Sequence, residues 1–166
     1  TGCSAVVNYT APTFIDNATS QANLSITVSP AYAVSGYDFP VGITPVTYIV
    51  SDEYGNVFNY SFDVTVTDNI DPTIACPAGD SGNQLIRNTD TGEAFYTTSG
   101  TEFDPTSFSD NCLVTLENNY NNSGTLLGET FPVGTTDVVW TVTDDSGNST
   151  SCTIQVIVTD IEDPVI

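Results

Sequence analysis

Phe39-Pro40-Val41-Gly42 returns 92 residues later as Phe131-Pro132-Val133-Gly134, and the offset then holds without a gap from 39–74 onto 131–166. Of these 36 aligned positions 17 are identical, among them Asp52/Asp144, Gly55/Gly147, Asn56/Asn148, Asp68/Asp160 and Asp71/Asp163. Repetition at this period makes the chain two tandem copies of one small domain.

Within each copy the hydrophobic period is 2. Val46, Tyr48 and Val50 alternate with Thr47 and Ile49, and Tyr60, Phe62, Val64 and Val66 with Ser61, Asp63 and Thr65. The second copy repeats this with Val138, Trp140 and Val142, then Cys152, Ile154, Val156 and Val158. Such alternation marks half-buried antiparallel strands. The turns between them, 52–56 and 144–148, each place Gly where a short hairpin loop requires a left-handed residue. No segment carries a helical period over two turns. Short strands at this density predict an all-β chain of two tandem immunoglobulin-like β-sandwich domains. The expected boundaries are 1–67, 68–160, and a trailing 161–166.

Composition narrows the chemistry. The chain has 21 acidic side chains, one basic residue (Arg87), no His and a net charge of −20. Without His there is no Ser-His-Asp relay and no imidazole ligand. Without Lys there is no Schiff base. The charge repels phosphate backbones and anionic headgroups, so neither nucleic acid nor a membrane surface is an expected partner. No window reaches the roughly 20 apolar residues of a membrane span. What remains in quantity is carboxylate, amide and hydroxyl oxygen, the donor set of Ca²⁺.

FPVGTTDVVWTVTDDSGNSTSCTIQVIVTD, preceded by SFSDNC and DPTIACP, resembles the hyalin repeat (HYR) domain. The second copy matches from about Asp68 to Asp160, and the first from Cys3 to Thr67. The resemblance implies an immunoglobulin-like fold in extracellular, often tandem, adhesive or structural proteins, with no catalytic activity. There are two departures. Ala18 stands where the family has the Cys of its Asp-Asn-Cys motif, and the first copy has no opening strand matching DPTIACP.

That missing strand has a counterpart. The chain closes on Asp163-Pro164-Val165-Ile166, which repeats Asp71-Pro72-Thr73-Ile74. The first domain therefore lacks its opening strand, and 161–166 is an orphan strand or a linker to the next unit. Either the sequence is a cut through a long tandem chain, or the tail of one copy adds to the open edge of the next by β-augmentation. The latter contact would build an open filament.

Four cysteines without a CxxC pair allow three connectivities. In a sandwich the first and last strands run parallel and adjacent, which favours Cys76–Cys152. Cys3–Cys112 would then use every Cys, the alternative being two free thiols. Disulfides imply an oxidising, extracellular setting. Sequons at Asn8, Asn17, Asn23, Asn59, Asn121 and Asn148 are candidate glycosylation sites in such a setting.

The acidic residues fall at predicted poles. The linker carries Asp68 and Asp71. The near pole of the second domain carries Asp110 and Asn111 in one loop, and Asp144 and Asp145 in a hairpin. These six are the expected inter-domain Ca²⁺ ligands. Half-sites are expected at the ends: Asp16, Asn17, Asp52 and Glu53 at the outer pole of the first domain, and Asp160, Glu162 and Asp163 in the trailing linker. The bland alternative is that these residues cap turns in solvent.

The leading functional expectation is an extracellular structural module of a filament or large adhesin, rigidified by Ca²⁺ and joined head to tail to itself or to neighbouring repeats. The alternative is a recognition module for cell-surface carbohydrate or protein, using Tyr32, Tyr37, Tyr54, Phe95, Tyr96 and Tyr120. An enzyme is not expected: Asp144 and Asp145 as a glycosidase pair would point apart, and no cleft is evident.

Overall fold

Two long β-hairpins, one per copy, organise the molecule. A computed structural model describes residues 2–164; Thr1, Val165 and Ile166 fall outside the described residues, and with them the last two positions of the orphan 161–166 segment. The chain divides into two units, Thr1–Asp68 and Asn69–Ile166.

In the first unit β1 (Ser4–Val7), β2 (Ser25–Ser29), β3 (Tyr37–Pro40), β4 (Gly42–Ser51) and β5 (Val57–Val66) form two layers. The sheet β2-β4-β5 faces the antiparallel pair β1-β3. Val46 and Tyr48 of β4, Val64 and Val66 of β5, and Phe39 of β3 are buried together.

The second unit contains β6 (Thr73–Ala75), β7 (Gln84–Asn88), β8 (Phe95–Thr97), β9 (Ser107–Ser109), β10 (Val114–Asn118), β11 (Thr130–Pro132), β12 (Gly134–Asp144) and β13 (Ser149–Thr159). Its main sheet runs β10-β12-β13-β7, with β13 and β7 parallel. The pairs β8-β11 and β6-β9 supply the facing layer. Trp140 is fully buried at the centre with Phe131, Phe103, Leu126 and Ile154, and its indole N–H donates to the Phe103 carbonyl at 3.1 Å. The chain is thus two tandem immunoglobulin-like sandwiches.

The repeat is legible in the backbone. Gly42 and Gly134, with φ of 110° and 119°, let the chain turn from β3 into β4 and from β11 into β12. A Cβ would be strained at either position. The units differ at one edge. The second has β7 beside β13 and β6 beside β9; the first has no counterpart of β6 or β7 among its described residues.

Cys76 and Cys152 form a disulfide. The reason expected for it needs amending. The strand parallel to β13 is β7, not the opening strand β6, which lies antiparallel to β9. Residues 77–103 carry no clear pattern in the sequence, yet they supply β7, β8 and two core side chains, Leu85 and Phe103.

Candidate functional site

The two hairpin turns are the same device built twice. Asp52 Oδ1 accepts from the N–H groups of Tyr54 (2.9 Å) and Asn56 (2.7 Å), and Oδ2 from the Asn56 side-chain amide (2.6 Å). Asp144 Oδ1 accepts from Ser146 (2.9 Å) and Asn148 (2.8 Å), and Oδ2 from the Asn148 amide (2.8 Å). Gly55 and Gly147, at φ of 87° and 90°, complete the turns. An Asp that accepts from its own turn fixes the loop and its own orientation.

These bonds hold the carboxylates charged. Asp52 lies below the ordinary range chiefly because of the Asn56 side chain, and the turn amides outweigh the effect of burial. For Asp144 burial pushes upward, but the Asn148 side chain and the turn amides together carry the group below its ordinary value. Asp16 is lowered by the N–H groups of Thr19 and Ala18, which donate to its Oδ1 at 2.6 and 2.9 Å; the nearby negative charge of Asp52 opposes this.

Each unit therefore carries an acidic pair at its hairpin end. In the second unit carboxylate oxygens of Asp110 and Asp144 lie within 4.8 Å of one another. Asp110 also accepts from the Cys112 N–H at 2.8 Å. In the first unit Asp16 and Asp52 form the matching pair and share the wall of one cleft. Asn111 is half-buried, Asn17 and Glu53 are exposed, and Asp145 is exposed with its N–H donating to the Leu113 carbonyl at 3.1 Å. Asp68, the last residue of the first unit, is 7% exposed; Asp71 is exposed.

The trailing acidic residues are arranged differently from a set of open ligands. Glu162 accepts from the Gly92 N–H with both oxygens, at 2.9 and 3.1 Å, and its own N–H donates to Asp160 at 3.0 Å. Asp163 is exposed.

The single cation is committed elsewhere. Arg87 on β7 pairs with Asp80 at 2.9 Å and Glu102 at 3.0 Å, and lies 5.2 Å from the Phe103 ring centroid. Glu102 also accepts from the Tyr96 hydroxyl at 2.5 Å and the Ser99 N–H at 2.9 Å. Burial pushes Glu102 upward; these donors outweigh it and set the group below its ordinary value. No motif or period marks this network, because Asp80 and Glu102 come together only through the fold.

Of the aromatic candidates, Tyr96 and Tyr120 are half-buried and hydrogen-bonded, Tyr120 also stacking on Phe131 at 4.5 Å. Phe95 is half-buried in β8. Tyr54 is 70% exposed at the tip of its turn, and Tyr32 and Tyr37 form an exposed ring pair at 4.8 Å. The sequons also separate. Asn121 and Asn148 use their side-chain amides inside loops, donating to Glu129 and Asp144. Asn8, Asn17, Asn23 and Asn59 are exposed.

Among the described residues no cysteine is a free thiol. No helix among the described residues is long and apolar enough to cross a membrane.

The family model described as the HYR domain matches residues 2–66 and again 67–158. Hyalin of Strongylocentrotus purpuratus is 33% identical over 163 residues, covering 96% of this chain and 12% of that protein. Hyalin of Lytechinus variegatus is 32% identical over 176 residues, 98% of this chain and 28% of its own length. The sushi, von Willebrand factor type A, EGF and pentraxin domain-containing protein 1 of Rattus norvegicus is 31% identical over 155 residues, 93% of this chain and 4% of that protein. The chain thus spans less than a third of each of these relatives.

Proposed function

Because the chain belongs to the HYR domain family, we propose that it is an extracellular structural module of an adhesive array, joined end to end to further copies and stiffened by Ca²⁺. The observation that carries this reading is the pairing of carboxylates at the hairpin end of each unit, Asp110 with Asp144 and Asp16 with Asp52. Like charges this close repel one another, and solvent screens the repulsion only in part. Their turn hydrogen bonds nevertheless favour the charged form of Asp16, Asp52 and Asp144. The only basic side chain is held by Asp80 and Glu102. A divalent hard cation removes the repulsion and accepts this donor set.

In this reading Asp68 and Asp71 on the linker complete the ligand set of Asp110, Asn111, Asp144 and Asp145. At the outer end, Asp16, Asn17, Asp52 and Glu53 meet Asp160, Glu162 and Asp163 of the next copy, and Glu162 exchanges the Gly92 N–H for the ion. In this reading the second bridge is Cys3–Cys112. A disulfide-bonded chain suits an oxidising compartment. The role is mechanical and needs no reaction.

Sedimentation velocity in millimolar Ca²⁺ and again in EGTA tests both parts. Large species in calcium that collapse to monomer in EGTA, and that fail to form in a chain lacking 161–166, are expected. Identical monomeric sedimentation in both buffers would overturn calcium and assembly together. A second reading, recognition of cell-surface glycans, is favoured by the exposed Tyr54 and the Tyr32–Tyr37 pair. Retention on a glycan array that is lost in Tyr54→Ala would support it.

A further inference from the structure

The six sequons differ in what the fold leaves them free to do. Asn121 has both ends of its side chain in use. Its amide nitrogen donates to the Thr125 carbonyl and to Glu129 Oε1, each at 3.0 Å. Its oxygen accepts from the Asn118 amide at 2.8 Å and the Ser123 N–H at 3.0 Å. An amide nitrogen that carries a sugar keeps one N–H, so glycosylation here breaks one of two half-buried bonds. Asn148 is half-buried, and its amide holds the Asp144 turn at 2.8 Å.

Asn59 is the opposite case. It is exposed and lies within β5, directly across from Ile49 of β4. The neighbouring pairs Val46–Phe62 and Tyr48–Tyr60 set the inward face, so Asn59 and Ile49 share the outward one. Ile49 pairs on its other side with Thr27, and the row Thr27–Ile49–Asn59 crosses the sheet. Ile49 is 36% exposed. Opposed side chains stand about 5 Å apart at Cβ, within one sugar ring of each other. The second unit has a polar pair at these positions, Thr141 and Ser151, whose hydroxyls bond at 2.9 Å. Ser151 is exposed although β7 lies beside 155–159 of the same strand, so the face at this level is open in a unit that carries that strand. Ser61 completes the sequon on the same outward face, with its hydroxyl bonded to Thr47 at 2.9 Å.

We propose that Asn59 is an N-glycosylation site whose first N-acetylglucosamine lies over Ile49, and that the sequons of the second unit stay bare. The donor is an oligosaccharide on a lipid pyrophosphate. Asn59 Nδ2 bonds to the anomeric carbon, the bond from that carbon to the pyrophosphate oxygen breaks, and the amide proton passes to a base of the transferase. The apolar face of the sugar takes the place of water on Ile49, where the second unit presents the Thr141 hydroxyl. This rests on the extracellular setting of the reading above and needs neither calcium nor assembly, so the sedimentation test and the following one fail separately.

The full chain is secreted from a eukaryotic host and treated with peptide N-glycosidase in H₂¹⁸O, which turns each glycosylated Asn into ¹⁸O-labelled Asp. Peptide mapping of the folded monomer is expected to find label at Asn59 in most molecules and none at Asn121 or Asn148. Ser61→Ala, which keeps Asn59 and removes the acceptor hydroxyl, is expected to abolish that label. An unlabelled Asn59 beside labelled Asn8, Asn17 or Asn23 would overturn the site. Label at Asn121 or Asn148 equal to that at Asn59 would overturn the separation of the two units. With the glycan trimmed to one N-acetylglucosamine, Overhauser contacts between the sugar and the Ile49 methyl groups are expected. A labelled Asn59 without those contacts would strike the placement over Ile49.

Discussion

Replacing Cys76 and Cys152 together by Ala separates two contributions to the second unit. The bridge closes a loop with a sequence separation of 76. Loop-closure entropy for about that length is worth about 4.5 kcal/mol at 25 °C. Little local replaces it, since β6 is three residues long and keeps only its ladder with β9 and the packing of Ile74 on the core. The assay is built into the molecule. Trp140 is the sole tryptophan and is fully buried in the second unit, so its fluorescence in urea reports that unit alone. With a slope of about 1.5 kcal/mol per molar for a unit of this size, the midpoint falls by about 3 M. A fall of less than about 0.5 M would refute the reasoning. It would show an unfolded chain already compact enough that closing the loop restricts little.

Two further outcomes follow from the carboxylates. Arg87→Met leaves Glu102 half-buried without its cation and is expected to lower the stability of the second unit by about 1–3 kcal/mol in the same urea assay, with Glu102→Gln in the double variant restoring most of it. Asp144 has its folded value lowered, so its contribution is complete above the ordinary carboxylate range near pH 4 and is lost as pH falls through the lowered value. Asp144→Asn should therefore show a shallower loss of stability below about pH 4 than the parent when Trp140 fluorescence is followed, and an unchanged slope would remove the turn from the acid response.

What the sequence disclosed and what it withheld divide along physical lines. β4–β5 and β12–β13 are long, alternate cleanly and close on tight Asp-to-Asn turns, so pattern alone locates them. Asp52 and Asp144 were legible as polar residues of those turns. β7 was not legible. Gln84-Leu85-Ile86-Arg87-Asn88 turns Leu85 into the core, but its partner β13 lies about 70 residues away, and its one inward polar group is satisfied by Asp80 and Glu102. The cleft was not legible either. One wall, residues 9–15, forms no strand, so no period marks it. The other is β5, whose Phe58 and Tyr60 read as ordinary core residues from their alternation but are exposed.

The lone arginine also governs how the molecule meets proteases. An enzyme that cleaves after Lys or Arg finds one bond in the whole chain, the one following Arg87. That bond lies in β7, hydrogen-bonded alongside Val158 and Thr159, with the guanidinium held between two carboxylates. Cleavage must wait for the strand to leave the sheet, so the rate of nicking tracks how often the second unit opens. Even then Cys76 and Cys152 lie on opposite sides of the cut, and the two pieces stay joined. A trypsin-rich environment thus leaves the chain in one covalent body, nicked at most once.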